Sequence, residues 1–211
     1  MILFDSKLLN SKNIAVGVSM GVDSVASAYF LSNCFNITMI HVNHGTFMAN
    51  QYQDSFVKFA DYLKSVSRNK VNSVICENGE TKDFSESYLR DIRYGFFDDT
   101  MNAVELKHLV VCHHLDDCVE SYLMNCLKGQ PEHYPIPKET IRRNYSVVRP
   151  FLKTDKDEFI SYCVRHEIDK FVVNDVTNMD SKYTRNWVRN ELIPMVKMKY
   201  SGIKTVVKKR L

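Results

Sequence analysis

The sequence predicts an α/β domain: a doubly wound, mainly parallel sheet of about five strands, followed by a helical C-terminal segment. Short β-branched runs alternate with longer stretches at helical spacing, the pattern of βαβ units whose sheet is covered on both faces. The size and composition agree. A chain of 211 residues, 45% hydrophobic and 25% charged, buries a sizeable core as one soluble domain and is unlike a disordered segment.

In chain order, the run Asn13–Val18 precedes a helix at Asp23–Ser32, and Ile37–Val42 precedes one at Gln51–Ser67. Val71–Ile75 is followed by a helix at Ser85–Met101, and His108–Cys112 by one at Asp116–Lys128. The segment 130–137 holds three of the five prolines and reads as a surface loop. Helices at Lys156–His166 and Thr184–Met195 come next, so one domain is expected over 1–195, with a short basic tail over 196–211.

Several classes are excluded. The apolar stretches Ile14–Val18 and Leu109–Cys112 are too short to span a bilayer, and Asp5 and Asn10 interrupt any secretory signal. The six cysteines are scattered with no CxxC pair, which argues for a reducing interior and against a disulfide framework or zinc ribbon. A cytoplasmic protein with no membrane partner is expected. The charge is segregated: residues 182–211 carry nine Lys and Arg against Glu191 alone, while the first 181 carry 19 against 24 acids. Either a polyanionic partner near the C-terminal end or a merely solvated basic helix fits that imbalance.

Ligands of such sheets bind at the carboxyl ends of the strands, which directs attention to three turns. Val18-Ser19-Met20-Gly21-Val22-Asp23-Ser24 joins a strand to a helix. Backbone N–H groups and the helix dipole there suit an anion, Ser19 and Ser24 offer hydroxyls, and Asp23 either holds Mg²⁺ or caps the helix. It is not a Walker loop, since GxxxxGK[ST] is missing. His41-Val42-Asn43-His44-Gly45 places a histidine beside a tight glycine turn.

The third turn, His113-His114-Leu115-Asp116-Asp117-Cys118-Val119-Glu120-Ser121, runs into a helix on which Asp116, Asp117 and Glu120 share a face. Those acids either bind Mg²⁺ and orient phosphates or, for the Asp pair, cap the helix. Zinc on Cys112, His113 and Cys118 is a rival that lacks the usual spacing. Glu86, Arg90 and Arg93 form one helical stripe with Tyr94 beside it, suited to phosphate or to surface salt bridges. Asp175-Val176-Thr177-Asn178 and Tyr183 precede Arg185 and Arg189, which are four apart around the single tryptophan, Trp187. Basic groups near an aromatic suit RNA or nucleotide phosphates, or packing beside solvated arginines.

Taken in order, these sites resemble the catalytic domain of the tRNA(Ile)-lysidine synthetases, in the ATP-pyrophosphatase (PP-loop) superfamily. Ser19-Met20-Gly21-Val22-Asp23-Ser24 matches its SGGxDS loop in five of six positions, with Met20 in place of a glycine. His41–Gly45 is similar to its second motif, Glu86 through Tyr94 to its ExxxR..RY helix, and His113–Ser121 to HHxDDxxET. Arg149-Pro150-Phe151-Leu152 is similar to its RPLL segment. Asp175–Asn178 with Arg185, Asn186 and Arg189 is similar to D-x-[ST]-N…RNxxR. The resemblance spans roughly residues 13–195.

It implies adenylation by ATP of the wobble cytidine in the CAU-anticodon isoleucine tRNA, followed by displacement of AMP by free L-lysine to leave lysidine. It implies ATP and Mg²⁺ as co-substrate and metal, with Ser19, Met20, Gly21, Val22, Asp23 and Ser24 around the pyrophosphate, His44 nearby and Asp23 on the metal. It implies catalytic roles for Asp23, Arg90, His113, Asp117 and Glu120, the last three in activation and lysine recognition. It assigns Arg93, Arg185, Asn186 and Arg189 to phosphates or the flipped-out base. Relatives of this kind are often dimers and commonly carry further C-terminal domains for tRNA. No such separate domain is expected here, and the basic segment stands as a substitute grip. Thiolating relatives often carry paired cysteines, which this sequence lacks. A left-handed φ at Met20 would carry a steric cost that glycine avoids.

Overall fold

The computed structural model describes residues 1–46, 48–79, 85–130, 132, 136–173 and 184–211. Its strands are β1 (Asn13–Gly17), β2 (Asn36–Asn43), β3 (Val71–Glu77), β4 (His108–Val110), β5 (Glu139–Ile141) and β6 (Ser146–Val148). The long helices are α1 (Val22–Ser32), α2 (Ala49–Val66), α3 (Glu86–Val104), α4 (Leu115–Leu127) and α5 (Lys156–Arg165). Near the C-terminal end, α6 (Thr184–Trp187), a π-helical turn (Val188–Leu192) and α7 (Ile193–Lys199) run on without a break, and α8 (Ile203–Arg210) follows.

The six strands form one sheet in the order β3-β2-β1-β4-β6-β5, parallel except for β5, which pairs antiparallel with β6. Alternate residues serve opposite faces, as the two-residue period of a strand requires. Ile14 and Val16 join the core under α1, α2 and α5, while Ala15 joins the core under α3 with Leu109, Val147 and Phe97. Burial on both faces is why these strands read as continuous apolar runs. A third cluster packs α4 against the C-terminal helices through Leu115, Val119, Val188, Ile193 and Val207.

Because β1 lies between β2 and β4, the crossovers leave it in opposite directions. Such a switch point opens a crevice at the carboxyl ends of the strands. All three motif turns follow β1, β2 and β4 there.

Two features differ from the sequence expectation. The chain folds a β5–β6 hairpin past the proline-rich loop, closed by the Arg142 N–H to the Tyr145 carbonyl at 2.9 Å. Asp98 of α3 holds that hairpin through Arg142 Nε (2.8 Å), Arg142 Nη2 (2.6 Å) and the Tyr145 hydroxyl (2.8 Å). The basic segment over 196–211 is helical for most of its length, since α8 buries Val207 and extends the core cluster around α4. Among the described residues no helix is long and apolar enough to cross a membrane.

Candidate active site

The loop after β1 is tied to itself. Ser24 Oγ accepts the Ser19 N–H at 3.2 Å and donates to the Gly21 carbonyl at 2.9 Å. Helix α1 starts at Val22 with Gly21 as its cap residue and no side-chain capping bond. The Ser24 N–H turns back to the Gly21 carbonyl at 3.1 Å, which leaves the Val22 and Asp23 amides before it for an anion. Met20 adopts φ 67° with its side chain fully buried in the main core, and its carbonyl accepts the Val173 N–H at 2.9 Å. The left-handed backbone that suits glycine is held here by burying a large thioether.

At the end of β2, His41 Nδ1 lies 2.8 Å from the Val18 carbonyl and the ring stacks on Phe56. Gly45 has φ 67°, and a Cβ there would sit 2.2 Å from the Gly79 carbonyl oxygen, so only glycine fits. Burial, then the charge of Arg93, then His41 lower the His44 imidazole to about 4.

At the end of β4, His114 caps α4. Its Nδ1 accepts the Asp116 N–H at 3.2 Å, and its own N–H donates to Asp117 Oδ2 at 2.9 Å. That leaves the proton on Nε2, which stands 3.4 Å from Asp23 Oδ1 and 3.5 Å from Asp117 Oδ2. His114 thus joins the carboxylate of the anion loop to the acid motif. Burial opposes a charge on this ring, but Asp23, Asp117 and Asp116 outweigh it and raise its pKa. Next to it, burial lowers His113 to about 4 despite Asp117, and its Nδ1 is buried without a hydrogen bond. Burial likewise works against ionising Asp117, yet His114, His113 and Arg185 keep its carboxyl below the usual range.

Behind these groups, Glu120 is 2% exposed. It receives Arg185 Nε at 3.0 Å, Arg189 Nε at 2.6 Å and Arg189 Nη2 at 2.9 Å. Arg185 Nη2 also reaches Asp117 Oδ1 at 3.2 Å. The two arginines sit on either side of the α6 boundary, Arg189 inside the π turn, a distortion that recurs at functional sites.

One cleft of 1280 Å³ takes in all three turns. Of the expected site residues, Ser19, Gly21, Val22, Asp23, Ser24, His44, Arg93, His113, Asp117, Arg185, Asn186 and Arg189 line it. Three stand elsewhere. Met20 is buried beneath the loop, Glu120 lies behind the wall and holds the arginines, and Arg90 is exposed with its guanidinium 5.7 Å from the Tyr94 ring centroid. Asp175–Asn178, Tyr183 and the side chain of Glu86 lie outside the described residues.

The zinc alternative lacks support among the described residues, where no three His, Cys, Asp or Glu are grouped to hold a metal. Burial pushes the Cys112 and Cys118 thiols up to about 12, far from thiolate ligands. His114 is the residue that sequence reasoning undervalued as a site group. Its signal was its place two residues before an Asp pair, where an N-cap falls.

A family model for the PP-loop domain matches residues 3–196. The tRNA(Ile)-lysidine synthase of Staphylococcus aureus strain COL is 30% identical over 204 residues, covering 87% of this chain and 44% of that protein. The tRNA(Ile)-lysidine synthase of Bacillus subtilis strain 168 is 30% identical over 200 residues, covering 90% of this chain and 41% of that protein. The chain therefore spans less than half the length of the curated relatives it matches. Among solved structures, the U34-tRNA thiolase NcsA from Methanococcus maripaludis superposes with a TM-score of 0.77 at 18% identity, over 99% of this chain and 73% of that one. That likeness is one of fold. With the family model covering nearly all of the sequence and the strand-end turns gathered in one cleft, the chain belongs to the PP-loop domain family.

Proposed function

We propose that this domain catalyses lysidine formation: ATP adenylates the wobble cytidine of the CAU-anticodon isoleucine tRNA, and free L-lysine displaces AMP. The observation that carries the reading is the Asp23–His114–Asp117 chain, which joins an anion-binding loop to an ionised acid inside one cleft. At 1280 Å³ the cleft exceeds the roughly 300–1,000 Å³ of a site for one small molecule, as two substrates require. The 30% identical relatives named tRNA(Ile)-lysidine synthase support the substrate assignment.

In the first step the cytidine C2 oxygen attacks the α-phosphorus of ATP and pyrophosphate leaves. The α1 amides, Ser19 and Ser24 hold the departing charge, and donors fixed in place before the step need no reorganisation during it. Asp23 is the residue for Mg²⁺. Its Oδ1 is buried and 3.4 Å from His114 Nε2, too long for a strong hydrogen bond, so the carboxylate fits a cation there. Bound Mg²⁺ supplies neutralisation of phosphate charge.

In the second step an amine of lysine attacks C2, AMP leaves with the C2 oxygen, and the amine gives up a proton. Asp117 is the cleft carboxylate for the lysine ammonium, and His113, held neutral, is the neighbouring proton acceptor. Glu120 acts through Arg185 and Arg189, which it fixes toward the phosphates. A tRNA substrate and bacterial relatives support the cytoplasm as the place of the reaction.

The test is ATP–pyrophosphate exchange with and without the tRNA transcript. Exchange that requires the transcript supports the ligase. ATP binding with no exchange in either case contradicts it and leaves a binding module.

A further inference from the structure

Helix α5 shows the cleft an unusual face. Its inner side is core, with Phe159 fully buried and Cys163 1% exposed. Lys156, Ile160 and Val164 stand at i, i+4 and i+8, on one face of the helix. All three line the same cleft as the anion loop. Ile160 is 44% exposed and Val164 60%, so two aliphatic side chains lie uncovered along a stripe headed by a cation.

The stripe has a fixed origin and direction. The Lys156 N–H donates to Asp116 Oδ2 at 3.0 Å, which places the start of α5 at the acid motif. Val164 lies eight residues on, about 12 Å along the axis. Exposure rises in that direction, away from the reacting centre. Among the described residues no carboxylate pairs with the Lys156 amine, because Asp116 and Asp155 are both engaged by Lys204 at 2.8 and 2.7 Å.

We propose that this stripe is a subsite for the RNA nucleotide flanking the reacting base. The phosphate joining the two nucleotides sits on Lys156, and the flat apolar face of the flanking base packs on Ile160 and Val164. Single-stranded RNA is recognised in this way, with unstacked bases laid on side chains and phosphates on cations. The geometry favours RNA over the adenine of ATP. A polymer whose reacting base lies at the acid motif must leave the cleft along an open wall, and α5 supplies one. This assignment rests on the proposed reaction at a tRNA anticodon.

The probe is a short RNA hairpin with a CAU loop carrying 2-aminopurine in place of the adenosine next to the reacting cytidine. Binding to the unmodified protein is expected to raise its emission, because the base leaves its RNA neighbours for a non-quenching aliphatic surface. Ile160→Ala with Val164→Ala is expected to weaken hairpin binding about tenfold, from the aliphatic carbons removed. Lys156→Gln is expected to lower the slope of log K against log salt by about 0.7, one phosphate contact on a single strand. ATP affinity stays unchanged in all variants. The single variant Val164→Ala, at a site already 60% exposed, keeps its melting temperature and still shows weakened binding.

Equal hairpin affinity across the variants overturns the subsite alone. Weakened ATP binding with hairpin binding intact gives the wall to ATP and also overturns it. An unmodified protein that binds no hairpin contradicts the functional reading and the subsite together.

Discussion

Arg189 holds Glu120 by two parallel bonds, Nε to Oε1 at 2.6 Å and Nη2 to Oε2 at 2.9 Å, and Arg185 Nε adds a third at 3.0 Å. A carboxylate that is 2% exposed and bound three times is an anchor for arginines and not a contact for a small substrate. It ties the π turn after α6 to α4, and through Arg185 to Asp117.

Glu120→Ala is therefore expected to destabilise the fold by about 3 kcal/mol, because it removes three charge-assisted bonds and leaves Asp117, 3.2 Å from Arg185 and 3.8 Å from Arg189, as the remaining counter-charge. Urea unfolding checks this. A loss under about 1 kcal/mol would show that the arginines find water or another acid readily.

Met20→Gly sets two effects against each other. Removing a left-handed non-glycine residue relieves about 1–2 kcal/mol, while large-to-small truncation of a fully buried Met removes about 2–5 kcal/mol. The net expectation is a destabilised protein with pyrophosphate affinity retained. Thermal unfolding of the variant decides it, and a raised melting temperature would mean that the strain dominates.

Gly45→Ala is expected to displace the turn that carries His44, since a methyl group would meet the Gly79 carbonyl at 2.2 Å. Weakened ATP binding with the far side of the fold intact is the predicted result, measured by calorimetry beside amide exchange. Normal ATP binding would remove the turn from the nucleotide site.

Protonation gives a pH prediction. His44 and His113 are lowered to about 4 in the fold against 6.5 unfolded, so the unfolded chain takes up protons first as pH falls. Their contribution is complete above pH 6.5 and is lost between 6.5 and 4. His114, raised by its carboxylates, works the other way: its contribution is present below 6.5 and fades as pH climbs through its raised value. Burial also lowers His41 and His108, so four groups against one should lower the urea midpoint from pH 7.5 to pH 5, and His113→Gln with His44→Gln should flatten that trend in part. An unchanged trend in the double variant would assign it to other groups.

The parallel strands were legible because β1, β2 and β4 are buried on both faces and so read as apolar runs. The hairpin was not: β5 is Glu-Thr-Ile with all three residues exposed, and β6 has only three residues. The C-terminal charge was visible, but its partners were not, because they are distant in sequence. Lys204 closes on Asp116 and Asp155, and Arg210 stacks on Tyr122, so much of the basic segment is balanced within the fold. The motif turns were legible as candidates, since strand-end position and residue type coincide there. The separation of Asp117 at the cleft from Glu120 behind it depends on which side of α4 the arginines approach, and helical spacing alone places both acids on one face.

Incorporation of labelled lysine into a CAU-anticodon isoleucine tRNA transcript, with ATP and Mg²⁺, is the decisive measurement for lysidine formation in the cleft. Expected is incorporation that depends on ATP and is lost in Asp23→Ala and Asp117→Asn. Incorporation undiminished in both variants, or no incorporation by a protein that binds both ATP and the transcript, would contradict it.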